Sequence, residues 1–239
     1  MSIIKLVAKR LEKWYDEKGR RFPWRESKDP YKIIVVEFLL QRTRAETIEK
    51  VYAEFFRRFP SIESLATAKR KNVERVFSKL GLLYRATRLI DMARFILEKH
   101  GGHIPCDLKQ LLRIKGVGVY ISSAVLNFGY DIATPVIDKN VMRVANRLWG
   151  VKRQTDAERL VRELYKYGDH KKLAYALIDL GALVCKDRPQ CRLCPLNDIC
   201  PKLPLSKRDW RMLRKVITAR GEVLLREQPV MRVKKKDRG

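Results

Sequence analysis

Four of the five cysteines stand within sixteen residues, as Cys185-x5-Cys191-x2-Cys194-x5-Cys200. No other feature restricts the chain as much, because four thiols so close must either pair or converge on a common centre. Disulfide pairs do not suit an intracellular protein. Four thiolates can hold zinc or a four-iron cluster. Zinc sites commonly use two short knuckles, and only one Cys-x2-Cys is present here. The uneven spacing within a single loop suits a 4Fe-4S cluster better. Cys106 stands apart and reads as a buried small hydrophobe.

The rest of the chain reads as helices, and the fold class expected is all-α. Ile3, Ile4, Val7, Leu11, Trp14 and Tyr15 recur at helical spacing in residues 1–18. Asp29-Pro30 is a helix start, with Asp29 as N-cap and Pro30 in the first turn, for a helix from Tyr31 to Arg42. Thr43 with Glu46 has capping-box spacing for the next helix, which carries Ile48, Val51, Tyr52, Phe55 and Phe56. Helices follow near 61–68, 71–79, 84–100, 107–114, 119–128, 138–149, 156–167 and 171–184. Gly101-Gly102 ends the one at 84–100. Strand-like alternation is confined to 222–225 and 230–233.

The 239 residues include 53 Lys or Arg against 27 Asp or Glu, a formal net charge of +26. An apolar share of 46% supports a packed core, so this is no disordered basic tail. A fold that carries such a charge repels itself, and a polyanion is the expected partner. No apolar run is long enough to span a bilayer, and no secretory signal is seen. A cytoplasmic protein without a membrane partner is expected. The 33% charged content fits a heat-adapted source.

Ile114-Lys115-Gly116-Val117-Gly118-Val119-Tyr120 reads as helix, tight turn, helix. Gly116 and Gly118 permit positive φ and strip side chains from the turn, which leaves the second helix's first N–H groups open to a phosphate. An ordinary helix-helix turn has the same sequence, and the net charge tips the reading toward DNA. Glu37 lies inside an apolar helix between Val36 and Phe38. A carboxyl there is costly unless paired with an arginine or used in chemistry. Asp138 opens the helix after Val136-Ile137 and would serve as an N-cap. It also lies eighteen residues after Tyr120.

Taken together, the hairpin Gly116-Val117-Gly118, the run Val136-Ile137-Asp138-Lys139-Asn140-Val141 with Arg143-Val144, and the four cysteines resemble the helix-hairpin-helix DNA glycosylases. The likeness covers about residues 10 to 203. Arg21-Phe22-Pro23-Trp24-Arg25, Asp29-Pro30-Tyr31, and Glu37 followed by Leu40-Gln41-Arg42-Thr43 resemble the MutY branch. Within it the archaeal thymine-DNA mismatch glycosylases are most similar, since they too have tyrosine where endonuclease III has its lysine nucleophile. An archaeal thermophile is the source this implies.

The resemblance implies a six-helix barrel at 28–134, a cluster domain of 1–27 with 135–204, and a basic extension at 205–239. Double-stranded DNA carrying a mismatched or damaged base would bind a monomer in the cleft between the domains. Asp138 would stabilise the positive sugar, and Glu37 would assist the departing base. Tyr120, a phenol, cannot form the Schiff base that cuts the strand. Gln41, Arg42 and Leu82 match wedge and DNA-contact positions, Gly116 to Gly118 the phosphate grip, and Ala45 and Tyr175 the base pocket. A small Ala45 leaves room for a thymine methyl group. Cys185, Cys191, Cys194 and Cys200 would ligate one 4Fe-4S cluster, and the hairpin is a place for a monovalent cation.

Two departures bear on this. The first two cysteines are separated by five residues, where relatives often have six. Only 36 residues follow Leu203, too few for the domain that reads oxidised guanine in MutY. The implied activity is therefore monofunctional hydrolysis of thymine or uracil opposite guanine. The alternatives are adenine removal from A·G or A·oxidised-G, an endonuclease III-like lyase, and a DNA-binding protein without catalysis.

Overall fold

The structure, a computed structural model, describes residues 2–41, 43–78 and 83–201. Among these there are eleven α-helices and no strand. They are α1 (Ile3–Lys18), α2 (Pro30–Leu40), α3 (Ala45–Arg58), α4 (Ile62–Ala66), α5 (Arg70–Phe77), α6 (Leu83–His100), α7 (Leu108–Leu111), α8 (Val119–Ala124), α9 (Lys139–Trp149), α10 (Gln154–Tyr165) and α11 (His170–Asp179). No helix among the described residues is long and apolar enough to cross a membrane. The strand-like segments near 222 and 230 lie outside the described residues, as do Arg42, Leu82 and the extension at 205–239.

α2 is apolar on every face, from Ile33 to Leu39, and is accordingly buried on every face. It packs against α3, α6 and α8. Asp29 accepts the Tyr31 N–H at 2.9 Å and Pro30 opens the first turn, as the sequence predicts. α4 and α5 pack on α6, and α1 lays Val7, Leu11, Trp14 and Tyr15 against α10 and α11. α9 packs on α10 and α11.

Two helices end in a π turn, α8 at Val125–Gly129 and α11 at Leu180–Val184. The second π turn lets α9 approach closely. A Cβ on Gly181 would stand 2.6 Å from Asn140 Cβ and 2.8 Å from the Asn140 carbonyl oxygen, so only glycine fits. Arg143 then ties α9 to that turn by donating to the carbonyls of Gly181 (2.8 Å) and Cys185 (2.7 Å). The start of α9, and with it Asp138, is held against the end of α11.

Several expectations need correction. Thr43 does not cap α3. Its N–H still closes the turn after α2 by donating to Leu40 O at 3.1 Å, and Arg44 occupies the N-cap. Cys106 is exposed, because it sits in the loop before α7 with nothing packed over it. Gly118 does not adopt positive φ. It is the extended N-cap of α8, with φ −90°, and a Cβ there would meet open space. The helix expected at 107–114 is only the four residues of α7.

Candidate active site and DNA interface

A cleft of about 590 Å³ opens between α2, α3, α8, α9, α11 and the segment before α2. Glu37, Gln41, Ala45, Tyr120, Asp138 and Tyr175 all line it. Six residues chosen from sequence over a span of 139 positions therefore share one cavity. Gly116, Val117 and Gly118 form the adjoining turn.

Glu37 is 5% exposed and projects from the apolar helix α2. Burial pushes its carboxyl up to about 7; the Tyr120 hydroxyl that hydrogen-bonds it and the charge of Arg25 pull the other way, and Asp138 adds to the rise. Its Oε2 has no partner among the described residues. The arginine pairing that would have made Glu37 merely structural is not formed among them, because Arg25 goes elsewhere. Burial also drives the Tyr120 phenol well above its ordinary range, helped by the charges of Glu37 and Asp138. Tyr120 therefore donates to Glu37 as a neutral hydroxyl.

Asp138 is the N-cap of α9, as its sequence position predicts. Its Oδ1 accepts the Val141 N–H at 2.7 Å and its Oδ2 accepts Asn140 Nδ2 at 2.8 Å. The cap does not withdraw the carboxylate from the cleft. It fixes the group's orientation there through one backbone and one side-chain donor.

The sequence did not single out the ion pair in which Arg25, on the cleft wall, is bound to an acid behind it. Asp179 is completely buried at the end of α11. Arg25 grips it with two bonds, Nη1 to Oδ2 at 2.7 Å and Nη2 to Oδ1 at 2.8 Å. Arg20 adds its N–H to Oδ2 at 2.8 Å and Nε to Oδ1 at 2.8 Å. Burial works against the Asp179 charge, yet Arg25 and Arg20 hold its carboxyl below the usual range. The Arg25 guanidinium lies over the Tyr175 ring, 4.4 Å from its centroid. Phe128 stacks on that ring as well, at 4.0 Å and 6°. Tyr175 is thus clamped, and its buried hydroxyl has no hydrogen-bond partner among the described residues.

Gln41 links the cleft to the hairpin. Its Nε2 donates to Gly116 O at 2.9 Å, so it is tied down rather than free on a helix surface. Gly116 has φ +88°, and a Cβ there would come within 2.7 Å of Phe38 Cε2. Both facts demand glycine. Val117 is buried and offers only its backbone to a ligand. Gly118 instead leaves open space in front of the α8 N–H groups.

The four cysteines line one small cavity, together with Arg147 and Asn197. Among the described residues no three His, Cys, Asp or Glu side chains gather tightly enough for a single metal ion. Arg147 donates to Cys185 Sγ at 3.4 Å and to Asp187 O at 3.0 Å, and also to Lys186 O, so a cation already braces the loop. Burial pushes the Cys194 thiol up to about 11, a cost that a bound cationic centre would offset. Asn197 Oδ1 is buried and has no hydrogen-bond partner among the described residues.

Comparison with known proteins shows the family. Residues 35–169 match the HhH-GPD superfamily base excision DNA repair protein family. A thymine-DNA glycosylase of Aeropyrum pernix is 37% identical over 211 residues, 82% of this chain and 94% of that protein. An adenine DNA glycosylase of Mycobacterium tuberculosis is also 37% identical, over 193 residues, but these are 77% of this chain and 64% of the longer relative. The solved structure of a thermostable thymine-DNA glycosylase superimposes with a TM-score of 0.77 at 28% identity, covering 82% of this chain and 94% of that one. The chain belongs to the HhH-GPD superfamily of base excision DNA repair proteins, and DNA is its partner.

Proposed function

We propose that this enzyme is a monofunctional DNA glycosylase that hydrolyses the N-glycosidic bond of thymine or uracil extruded from opposite guanine. The observation that carries the reading is the convergence of Glu37, Asp138 and Tyr120 on one cleft beside the hairpin, with a phenol rather than an amine at position 120. In the resting site Asp138 is oriented by Val141 and Asn140 to face positive charge growing on C1′ of the sugar. Glu37, with a pKa of about 7, carries a proton often enough at neutral pH to donate it to, or hydrogen-bond, the departing base. Ala45 keeps the pocket wall small, which suits a 5-methyl group.

The cleft is lined by residues from both proposed domains. Glu37, Ala45 and Tyr120 come from the barrel at 28–134, and Arg25, Asp138 and Tyr175 come from the cluster domain formed by 1–27 and 135–204. Cys185, Cys191, Cys194 and Cys200 would hold one 4Fe-4S cluster, whose bound role is to staple the loop that Arg147 braces. The four thiols line one small cavity, which supports a shared centre.

A second reading, adenine removal, draws on the same observation, because an acid protonated near pH 7 could also serve a purine ring nitrogen. One panel decides between them: single-turnover assays on duplexes with T, U or A opposite G, each lane with and without alkali. We expect T·G and U·G to be processed faster than A·G, and breaks only after alkali. Adenine release alone would overturn the substrate assignment. Lys139, exposed at the cleft's rim, is the amine to exclude, so untreated lanes are repeated with Lys139→Gln. Tyr120→Lys should convert the enzyme to one trapped on DNA by borohydride.

A further inference from the structure

Beyond the groups that would touch the base, Arg20 and Arg25 line the cleft and share a fully buried acid behind it, Asp179, that the proposed chemistry does not use. We propose that Asp179 is a positioning residue, which, through Arg25, fixes the Tyr175 wall of the pocket and neutralises the cation that faces Glu37. This rests on the reading of Glu37 given above, and the test separates the two.

The geometry supports a dedicated device. Asp179 is fully buried and spends both oxygens on two arginines. Replacing such a cluster with apolar residues is often neutral or stabilising, so the cluster is weak evidence for stability alone. Its position is more telling. Arg25 Nη1 also donates to Arg20 O at 2.9 Å, which leaves the guanidinium in a single pose, face-on to Tyr175. Phe22 and Tyr15 flank it at 5.3 and 5.9 Å. Arg25 lines the cleft beside Glu37 and acts on its charge. With Asp179 in place, one negative charge offsets part of the charge of Arg25 and Arg20 together. Without it, both arginines are uncompensated in a buried site, where charges act strongly.

The other charged or titratable groups around Glu37 are Tyr120 on α8, Asp138 at the head of α9, and Tyr175 on α11. Glu46 on α3, Arg44 at its N-cap and Lys139 on α9 lie at the rim. Arg20 also lines the cleft and shares Asp179 with Arg25, so a change at 179 acts on Arg20 and on Tyr175, whose phenol the Asp179 charge raises, as well as on Arg25. Asp179→Asn preserves size and one acceptor but removes the neutralising charge. The stranded Arg25 cation favours ionised Glu37, so the carboxyl should titrate about one pH unit lower. The alkaline limb of the base-release profile should move down by the same amount, with about a tenfold slower rate at pH 8 and near-native rate at pH 5.5. A role confined to stability would lower the melting temperature and leave that limb in place.

The experiment has two arms on the full-length protein. Carbon-13 titration of the Glu37 carboxyl, assigned with Glu37→Gln, is compared between native and Asp179→Asn protein and needs no activity. Single-turnover rates on a T·G duplex from pH 5 to 9 form the second arm. A lowered Glu37 titration with a shifted limb supports the proposal. An unchanged Glu37 titration in folded Asp179→Asn overturns it. A lowered titration with no limb in native enzyme leaves Asp179's effect standing and refutes the acid role of Glu37 instead. Should Asp179→Asn not fold, Arg25→Lys, which keeps the charge but loses the fork, should leave the titration near native while loosening Tyr175. A shift of a full unit in Arg25→Lys would refute the division of roles.

Discussion

Glu37→Gln is the perturbation with the most specific energetic signature. Burial moves the Glu37 carboxyl from an ordinary 4.5 to about 7. At ~1.4 kcal/mol per pH unit, ionising it in place costs about 3 kcal/mol of folded stability. The sign follows from proton binding. Between pH 4.5 and 7 the unfolded chain has released this proton while the native protein holds it. The native state binds more protons, so stability falls as pH rises through that window and levels off above it. A neutral glutamine removes this dependence. Its amide is partly unsatisfied, since Glu37 Oε2 already lacks a partner, and that returns ~1–2 kcal/mol. We expect urea denaturation to show Glu37→Gln more stable than native by ~1–2 kcal/mol at pH 8.5 and less stable than native at pH 4.5. Base release should fall by about 10²-fold or more. A gain in stability coupled to a loss of function is the mark of a group held in an unfavourable place for its chemistry. If the variant were less stable at pH 8.5 with the same pH slope as native, Glu37 would be an ordinary structural carboxylate and the acid assignment would fail.

Three further outcomes follow from the geometry. Gly116→Ala should destabilise by at least ~1–2 kcal/mol in thermal denaturation, since φ +88° and the Phe38 contact both oppose a Cβ, and should weaken duplex binding. Gly118→Ala, with extended φ and open space, should stay within ~0.5 kcal/mol of native, and an equal loss at both positions would contradict the hairpin geometry. Asp138→Asn should retain the α9 cap, with melting close to native because asparagine caps as well as aspartate, yet lose most base release while duplex affinity and its salt slope persist. Cys191→Ser, checked by iron and sulfide analysis of the purified protein, should lower cluster content and melting temperature together; unchanged melting with iron absent would remove the structural role assigned to the loop.

How much of this was legible in the sequence depended on whether a signal was local. Asp29-Pro30 announced α2, and the apolar run around Glu37 announced both a buried helix and an acid out of place in it. Asp138 was visible as a cap because capping involves residues three apart. Thr43 shows the limit of the same rule. The capping-box spacing was present, but the turn that ends α2 already claimed the Thr43 backbone. Gly118 shows another: two glycines in one motif looked equivalent, and only the packed Phe38 ring shows that Gly116 alone is forced. Asp179 carried the same signature as Glu37, an acid in the apolar run Ala176-Leu177-Ile178-Asp179-Leu180. What made it interpretable was invisible in one dimension, since its partners Arg25 and Arg20 lie 154 and 159 positions away.

Two buried acids set in similar apolar runs, Glu37 on the cleft and Asp179 behind it, are opposites in the fold. Asp179 is given two guanidiniums and four short bonds, and its carboxyl is held below the ordinary range. Glu37, on which Arg25 also acts, receives one neutral hydroxyl and keeps one oxygen without a partner among the described residues, and its carboxyl is held above that range. Had Arg25 been free, it would have taken Glu37 as its partner and left the site without a proton donor at neutral pH. The fold works against this by engaging both Nη atoms of Arg25 with a second, fully buried acid. If Glu37 acts as proposed, a chain of net charge +26 that must keep this carboxyl protonated gains from such a partner for the nearest cation, and that is a physical reason for a charged group as costly as Asp179 to be buried there.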